Sequence, residues 1–380
     1  MKKLLIMLLL LVTLQNSFAG EYLENAGPAK DTKSDWMELK SGEWVRGEFK
    51  GVYSGKVEFD SDEFNLVKFD VDDVKQIITV GNSTVNLNRE MPSLKKFTTL
   101  PSSSSSDTTS LTVITGNLNF KNGEFSIKAE DGTSKIIHSS DIASVAAGEL
   151  RESNYWSASI YLGLDILRGN SEQVTITGKA SAERRTYLTR FRADYLSTYT
   201  KVDANNTTAD NNRLTSSLDL YQTSHFYWRL ASLEYLRDPF KNIAARYTLG
   251  AGVGYDILYS GDYDWSVTAG PGYQSTSYSE IVVTGDNKAT TGLIFLDTRF
   301  KAELMSDVDF LINYHMYYVN KKSGRYTHHM EVSLETEIIN DFTLNFSVFW
   351  DRVDEPSPFA DGSLPKKNDY KSMLAIGYSY

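Results

Sequence analysis

Charged side chains recur at every second position in the C-terminal part of this chain: Arg190, Arg192 and Asp194; Asp297, Arg299, Lys301 and Glu303; Glu331, Glu335 and Glu337. Residues two apart share one face of an extended strand, so each run puts its charges on a single face. Asp165, Arg246 and Asp256 fall on the same face of their own runs. Such a face can bind and pass small ions, or it can lock into salt bridges that fill an interior. Glu183, Asp219, Asp264 and Asp351 join the acids, while Lys179, Arg229 and Lys371 join the bases. Acids outnumber bases, and the face should carry a negative potential.

Two groups of residues could do covalent chemistry. His328, with Asn320 and Ser323 near the same strand end, has the residue types of a lipase. His329 and Asp351, on neighbouring runs, have those of an acid–histidine protease pair. Either needs a proximity that spacing does not set. Gly250-x-Gly252-x-Gly254 has the look of a dinucleotide loop. That loop needs a strand before it and a helix after it. Here the glycines fall inside one extended run, where they relieve crowding. No carboxylate–histidine set has metal-ligand spacing, and no cofactor is expected.

The elements that would carry these residues are strands. From Tyr155 onward the sequence divides into about twelve alternating runs: 155–167, 173–184, 187–200, 213–224, 226–236, 243–257, 263–276, 289–302, 308–319, 326–338, 341–352 and 369–380. Their lengths suit tilted membrane-crossing strands. Tight connections alternate with longer ones at Lys201 to Asn212, Ser277 to Lys288 and Val353 to Asn368. Alternation by parity is what a chain crossing a bilayer back and forth produces. The faces opposite the charges are apolar. Trp156, Ala158, Ile160, Leu162, Leu164 and Ile166 form one strip. Tyr247, Leu249, Ala251, Val253, Tyr255 and Ile257 form another, and Phe342, Leu344, Phe346, Val348 and Trp350 a third. The pattern slips near Ala231-Ser232, as a β-bulge would make it. The last run presents Leu374, Ile376, Tyr378 and Tyr380 on one face. That arrangement is similar to the C-terminal signal that outer-membrane barrels show their assembly machinery.

Upstream, residues 1–19 read as an export signal, with Lys2 and Lys3 before an apolar run and small residues at Ser17 and Ala19. A polar lead-in covers 20–34. Two short β repeats follow, at 35–96 and 111–150, joined by a serine-rich linker at 97–110. In each copy a glycine (Gly55, Gly123) lies eighteen residues before an aspartate (Asp73, Asp141). Between them Val57 matches Phe125, Phe59 matches Ile127 and Phe69 matches Ile137. Each copy reads as a small SH3-like or Sm-like barrel.

The 380 residues hold no cysteine and 23 tyrosines, with 12% aromatics, while the mean hydropathy is negative. Half-apolar barrel strands have this composition. A net charge of −10 excludes the electrostatic footprint of a nucleic-acid binder.

Residues 151–380 resemble the YdiY-like salt-induced outer-membrane proteins, a family built on a domain of unknown function (family 481). The resemblance runs through Tyr161-Leu162-Gly163-Leu164, Arg168-Gly169-Asn170-Ser171, Gly250-Ala251-Gly252-Val253-Gly254-Tyr255 and the terminal aromatic. Asp35-Trp36, Ser41-Gly42-Glu43-Trp44 and Gly47-Glu48 resemble a leader module that some members carry. The resemblance implies a barrel in the outer membrane and supplies neither a catalytic mechanism nor a substrate.

The expected fold is all-β, a transmembrane antiparallel barrel at 151–380 preceded by the two-repeat module. The expected function is a narrow cation-preferring pore or a structural envelope component. A closed structural barrel and a rim phospholipase or protease are the alternatives. The expected partners are outer-membrane lipid and lipopolysaccharide, the barrel assembly machinery, and a periplasmic or peptidoglycan partner for the repeats.

Overall fold

The computed structural model describes residues 33–379 apart from 62, 64, 89–112, 130–131, 149–154, 168–172, 203–205, 261–262, 281–286, 306–307 and 340–341. The expected export signal, most of the lead-in, the serine-rich linker, the 168–171 motif and Tyr380 lie outside the described residues.

Among the described residues twelve antiparallel strands close into a barrel. They are β10 (Trp156–Leu167), β11 (Gln173–Arg185), β12 (Thr189–Val202), β13 (Asn206–Tyr221), β14 (Phe226–Asp238) and β15 (Ile243–Tyr259). The rest are β16 (Tyr263–Tyr278), β17 (Lys288–Met305), β18 (Val308–Tyr318), β19 (Tyr326–Ile339), β20 (Phe342–Val353) and β21 (Asn368–Ser379). Each strand pairs with its neighbours in sequence, and β10 meets β21 through Ser159–Leu162 against Ser379–Ile376. The alternation explains the closure. One face of each strand is apolar and exposed, as at Ile160, Leu162, Leu164, Tyr247, Leu249, Phe342 and Phe346. The other is polar and buried, and only a closed sheet buries one face without leaving edges. Exposed aromatics gather at both ends. Trp156, Tyr255, Tyr263, Trp265, Phe342 and Tyr378 lie toward the short turns, while Tyr199, Tyr273, Tyr318 and Tyr370 lie toward the long connections.

One connection departs from the sequence reading. The loop expected at Lys201 to Asn212 is mostly strand, because β13 begins at Asn206 and pairs back to Val202. Asn206 to Asn212 alternate too weakly in hydropathy to read as a strand. They are held by cross-strand polar contacts instead, Tyr195 to Asn212 (2.8 Å), Tyr199 to Thr207 (3.2 Å) and Arg237 to Asp210 (2.7 Å). The expected bulge is present, as a register shift between Arg229 and Ser232 where β14 meets β15.

The N-terminal strands are β1 (Asp35–Leu39), β2 (Trp44–Tyr53), β3 (Lys56–Ser61), β4 (Asn65–Asp70), β5 (Val74–Leu87), β6 (Val113–Lys121), β7 (Glu124–Lys128), β8 (Ser134–His138) and β9 (Ile142–Ala147). The same turn occurs twice. Ser54-Gly55 and Asn122-Gly123 both have positive φ, and both glycine carbonyls accept from the start of a later short helical turn, Val71 at 3.0 Å and Ser139 at 3.1 Å. Glycine is required there because the second turn position lies in the left-handed region. The copies are not separate barrels, however. β5 pairs with β1 through Val74–Ile78 and with β9 through Ser83–Leu87, so one long strand serves both. Phe49, Phe59, Phe120 and Phe125 accordingly sit in one core. Asp35 clamps the edge, accepting from the N–H groups of Phe49 (2.8 Å) and Val80 (2.7 Å), and burial pushes its carboxyl above the ordinary range against those two bonds.

A fragment of residues 33–148 should therefore fold by itself, in one cooperative transition. Phe120→Ala should cost about 3–5 kcal/mol and destabilise both copies together. Chemical denaturation followed at tryptophans of the first copy checks this; an unchanged first-copy midpoint would refute a shared core.

Candidate functional site

Among the described residues three of the ionic groups on the inward face of the barrel stack from the short-turn end to the long-loop end. Asp219 centres the first. It is fully buried and accepts from Arg190 (3.2 Å) on β12 and from Arg229 on β14. Arg190 also approaches Asp256 at 3.6 Å, and Arg229 approaches Asp297 at 3.4 Å. His315 closes the group through a 2.9 Å contact with Asp297. The second group lies across the lumen. Lys179 donates to Glu331 (2.7 Å), with Glu335 3.8 Å away, and Glu331 also accepts from Ser333 and Asn313. In the third, Arg213 bridges Glu234 (2.6 Å) and Asp351 (2.7 Å), and His329 meets the same Asp351 at 2.9 Å. Lys241, in the turn between β14 and β15, reaches Asp369 at 3.0 Å and Asp351 at 3.8 Å.

Space inside follows this layering. A cavity of about 470 Å³ near the short turns is lined by Glu183, Arg192, Asp194, Glu335 and Glu337. A central cavity of about 100 Å³ shares Arg192, Asp194 and Arg299 with it. A third, of about 50 Å³, lies toward the long loops and shares only Leu196, Arg213 and Phe349 with the central one. Those three side chains separate the two spaces. Lys371 Nζ lies over the Phe349 ring, 4.5 Å from its centre.

The short-turn mouth is occupied by the N-terminal module. The turn between β2 and β3 reaches it, where Ser54 donates to Asp256 at 2.9 Å. Arg185, at the end of β11, donates to Glu58 (2.8 Å) and lies 3.9 Å over the Tyr53 ring. Tyr259 donates to the same Glu58, and Lys68 meets Asp264 at 3.0 Å. Tyr53, Ala146, Tyr221, Tyr227 and Tyr259 pack together at this junction. Beside them a vestibule of about 830 Å³ opens between module and barrel.

Most of the charges singled out in the sequence enter this interior. Arg190, Asp256, Asp297 and Glu331 are in the ionic groups, Arg192 pairs with Glu183 (2.5 Å), and Lys301 pairs with Asp309 (2.7 Å). Asp194 and Arg299 make a loose contact at 4.0 Å, and Glu335 accepts from Asn345 at 2.8 Å. Glu337 lines the wide cavity, whereas Asp165 is exposed toward the long-loop end and lines none of these spaces. Arg246 is buried beside Glu234 and Arg213 of the third group without forming an ion pair there. Glu234, Arg213 and His315 are additions. The face of Asp219 extended back along β13 gives Arg213. Glu234 was hidden because the bulge in β14 moves the inward face from odd to even numbers.

The three glycines of β15 act by absence of a side chain. A Cβ on Gly254 would lie 2.1 Å from two ring carbons of Tyr227, and one on Gly250 would lie 2.7 Å from the Phe295 ring. Of the catalytic candidates, His328 bonds Tyr314 at 2.8 Å and stacks against Trp350, while the Ser323 hydroxyl is buried with no protein partner. His329 and Asp351 do meet, inside the network with Arg213. Among the described residues no group of three or more His, Cys, Asp or Glu side chains is placed to hold a metal ion.

A closed antiparallel sheet that is apolar outside and densely charged within defines a transmembrane β-barrel. The chain belongs to the family described as "Protein of unknown function, DUF481", whose profile matches residues 160–380. Among solved structures it is similar to the NanC porin, at 12% identity and a TM-score of 0.36 over 59% of this chain and 98% of that one. It is also similar to the translocator domain of the autotransporter NalP from Neisseria meningitidis (12%, 0.34, 59% and 87%). A third is an outer-membrane channel from Pseudomonas putida F1 (11%, 0.34, 61% and 100%). No curated protein matches the chain.

Proposed function

We propose that this protein is an outer-membrane barrel that conducts small cations through a narrow, charge-lined lumen. Its short-turn end and repeat module face the periplasm. The observation that carries this reading is the graded lumen, from about 830 and 470 Å³ through 100 to 50 Å³, with Glu183, Asp194, Glu335 and Glu337 along its wide part. Carboxylates in excess favour cations, and a constriction at Leu196, Arg213 and Phe349 excludes large solutes. The apolar belt between two aromatic rings supports membrane insertion.

Refolded protein in a planar bilayer should give small conductance steps and a reversal potential of cation sign in a potassium chloride gradient. Glu335→Gln with Glu337→Gln should move that potential toward zero, as should salt near 1 M, where the Debye length falls to about 3 Å. Anion selectivity would overturn the reading. The tightly paired groups around Asp219 and Arg213 favour a second one, a closed barrel that stiffens the envelope. Assembled barrels that stay silent in the bilayer would select it.

A further inference from the structure

Arg246 departs from the pairing that Arg190 and Arg229 keep. Arg190 and Arg229 are as deeply buried, and each meets two carboxylates, Asp219 with Asp256 and Asp219 with Asp297. Arg246 is 5% exposed and forms no ion pair among the described residues. Its Nε donates to the Thr276 hydroxyl at 3.2 Å, a neutral acceptor. Glu234 acts on it only through space, being already paired with Arg213 at 2.6 Å, and a buried guanidinium with no carboxylate in contact is costly unless something absent from the polypeptide completes it.

The surroundings point the same way. Arg246 lines a small cavity of about 10 Å³ at the long-loop end, together with Lys241, Ser323, Glu355 and Lys366. Three of these charged groups are basic and one is acidic. The acid, Glu355, is already engaged by Arg325 at 3.6 Å and Lys321 at 4.0 Å. Ser323 is 3% exposed, and its hydroxyl has no partner in the protein. An unpartnered hydroxyl and a guanidinium lining one small space supply donors that suit a monovalent anion. The volume suits a single small ion or water.

We propose that this cavity binds one chloride-sized anion, held by Arg246 and Ser323 beneath the loops 319–325 and 354–367. The ion completes the buried arginine and ties the two loops to β15. The proposal does not depend on the barrel conducting.

Chloride is the probe. Thermal unfolding of the full barrel in detergent, read from its heat-dependent gel mobility, is compared in sodium chloride and sodium gluconate at equal ionic strength. At chloride about ten times its dissociation constant, Tm should stand about 2–4 °C above the gluconate value. Arg246→Met should abolish that difference. Ser323→Ala lies in a loop and leaves the strands intact, so it tests the site even where the buried substitution prevents assembly, and it should shrink the difference. Equal Tm in the two salts for the wild-type protein would overturn the proposal and assign the cavity to water. A chloride effect retained in full by either variant would overturn it too.

Discussion

Asp219→Asn should destabilise the barrel by about 3–5 kcal/mol, the cost of removing one partner from a buried ionic group. Asp219 is fully buried and is the common acceptor of Arg190 and Arg229, which approach it from β12 and β14. An asparagine keeps the size but supplies one neutral oxygen, and its amide would point N–H groups at a guanidinium. Asp256 and Asp297 could retain one arginine each, so the barrel should still form. The control is Asp194→Asn, where the contact to Arg299 is 4.0 Å and both side chains are more than a third exposed. There the expected loss is under about 1 kcal/mol. Equilibrium urea unfolding in detergent separates the cases, and a loss at Asp219 no larger than at Asp194 would show that the buried group is not structural.

Gly254→Ala should be the second large effect, at about 1–3 kcal/mol or somewhat more. The backbone there is extended strand, so the added methyl brings no conformational strain of its own. The cost comes from Tyr227, whose ring carbons would lie 2.1 Å from the new atom. That ring cannot yield easily, because its hydroxyl bonds Thr268 at 2.8 Å and Arg190 lies 4.7 Å from its centre. Tyr227→Leu should then relieve the substitution. A double-mutant cycle should give a favourable coupling of about 0.5–3 kcal/mol. Strict additivity would mean that the glycine serves something other than the tyrosine.

The barrel was legible because two-residue alternation is written into nearly every strand and is indifferent to what lies across the lumen. The strip from Trp156 to Ile166 needs no partner to be read. Where both faces are polar the signal fails, and so the start of β13 read as a loop. Pairing was the unreadable part. Asp219, Arg190 and Arg229 could each be assigned inward, but their meeting depends on register between strands. Glu234 shows a further limit, since one extra residue in β14 reverses the parity of everything after it. In the module the glycine–aspartate spacing exposed the duplication. That β5 serves both copies was hidden, because strand sharing leaves no trace in the repeat itself.

The two copies of the module contain the same turn and put it to different uses. Ser54-Gly55 sits on the barrel mouth through Asp256, whereas Asn122-Gly123 backs onto the module itself, where Asn122 donates to the Lys75 carbonyl at 3.0 Å. The second copy also sends β9 back to pair with Gly51–Tyr53, the stretch of β2 that leads into the docked turn. It thus works as a splint, holding straight the finger that the first copy extends. Duplication has thus supplied the docked turn with a brace, tied to it by backbone hydrogen bonds.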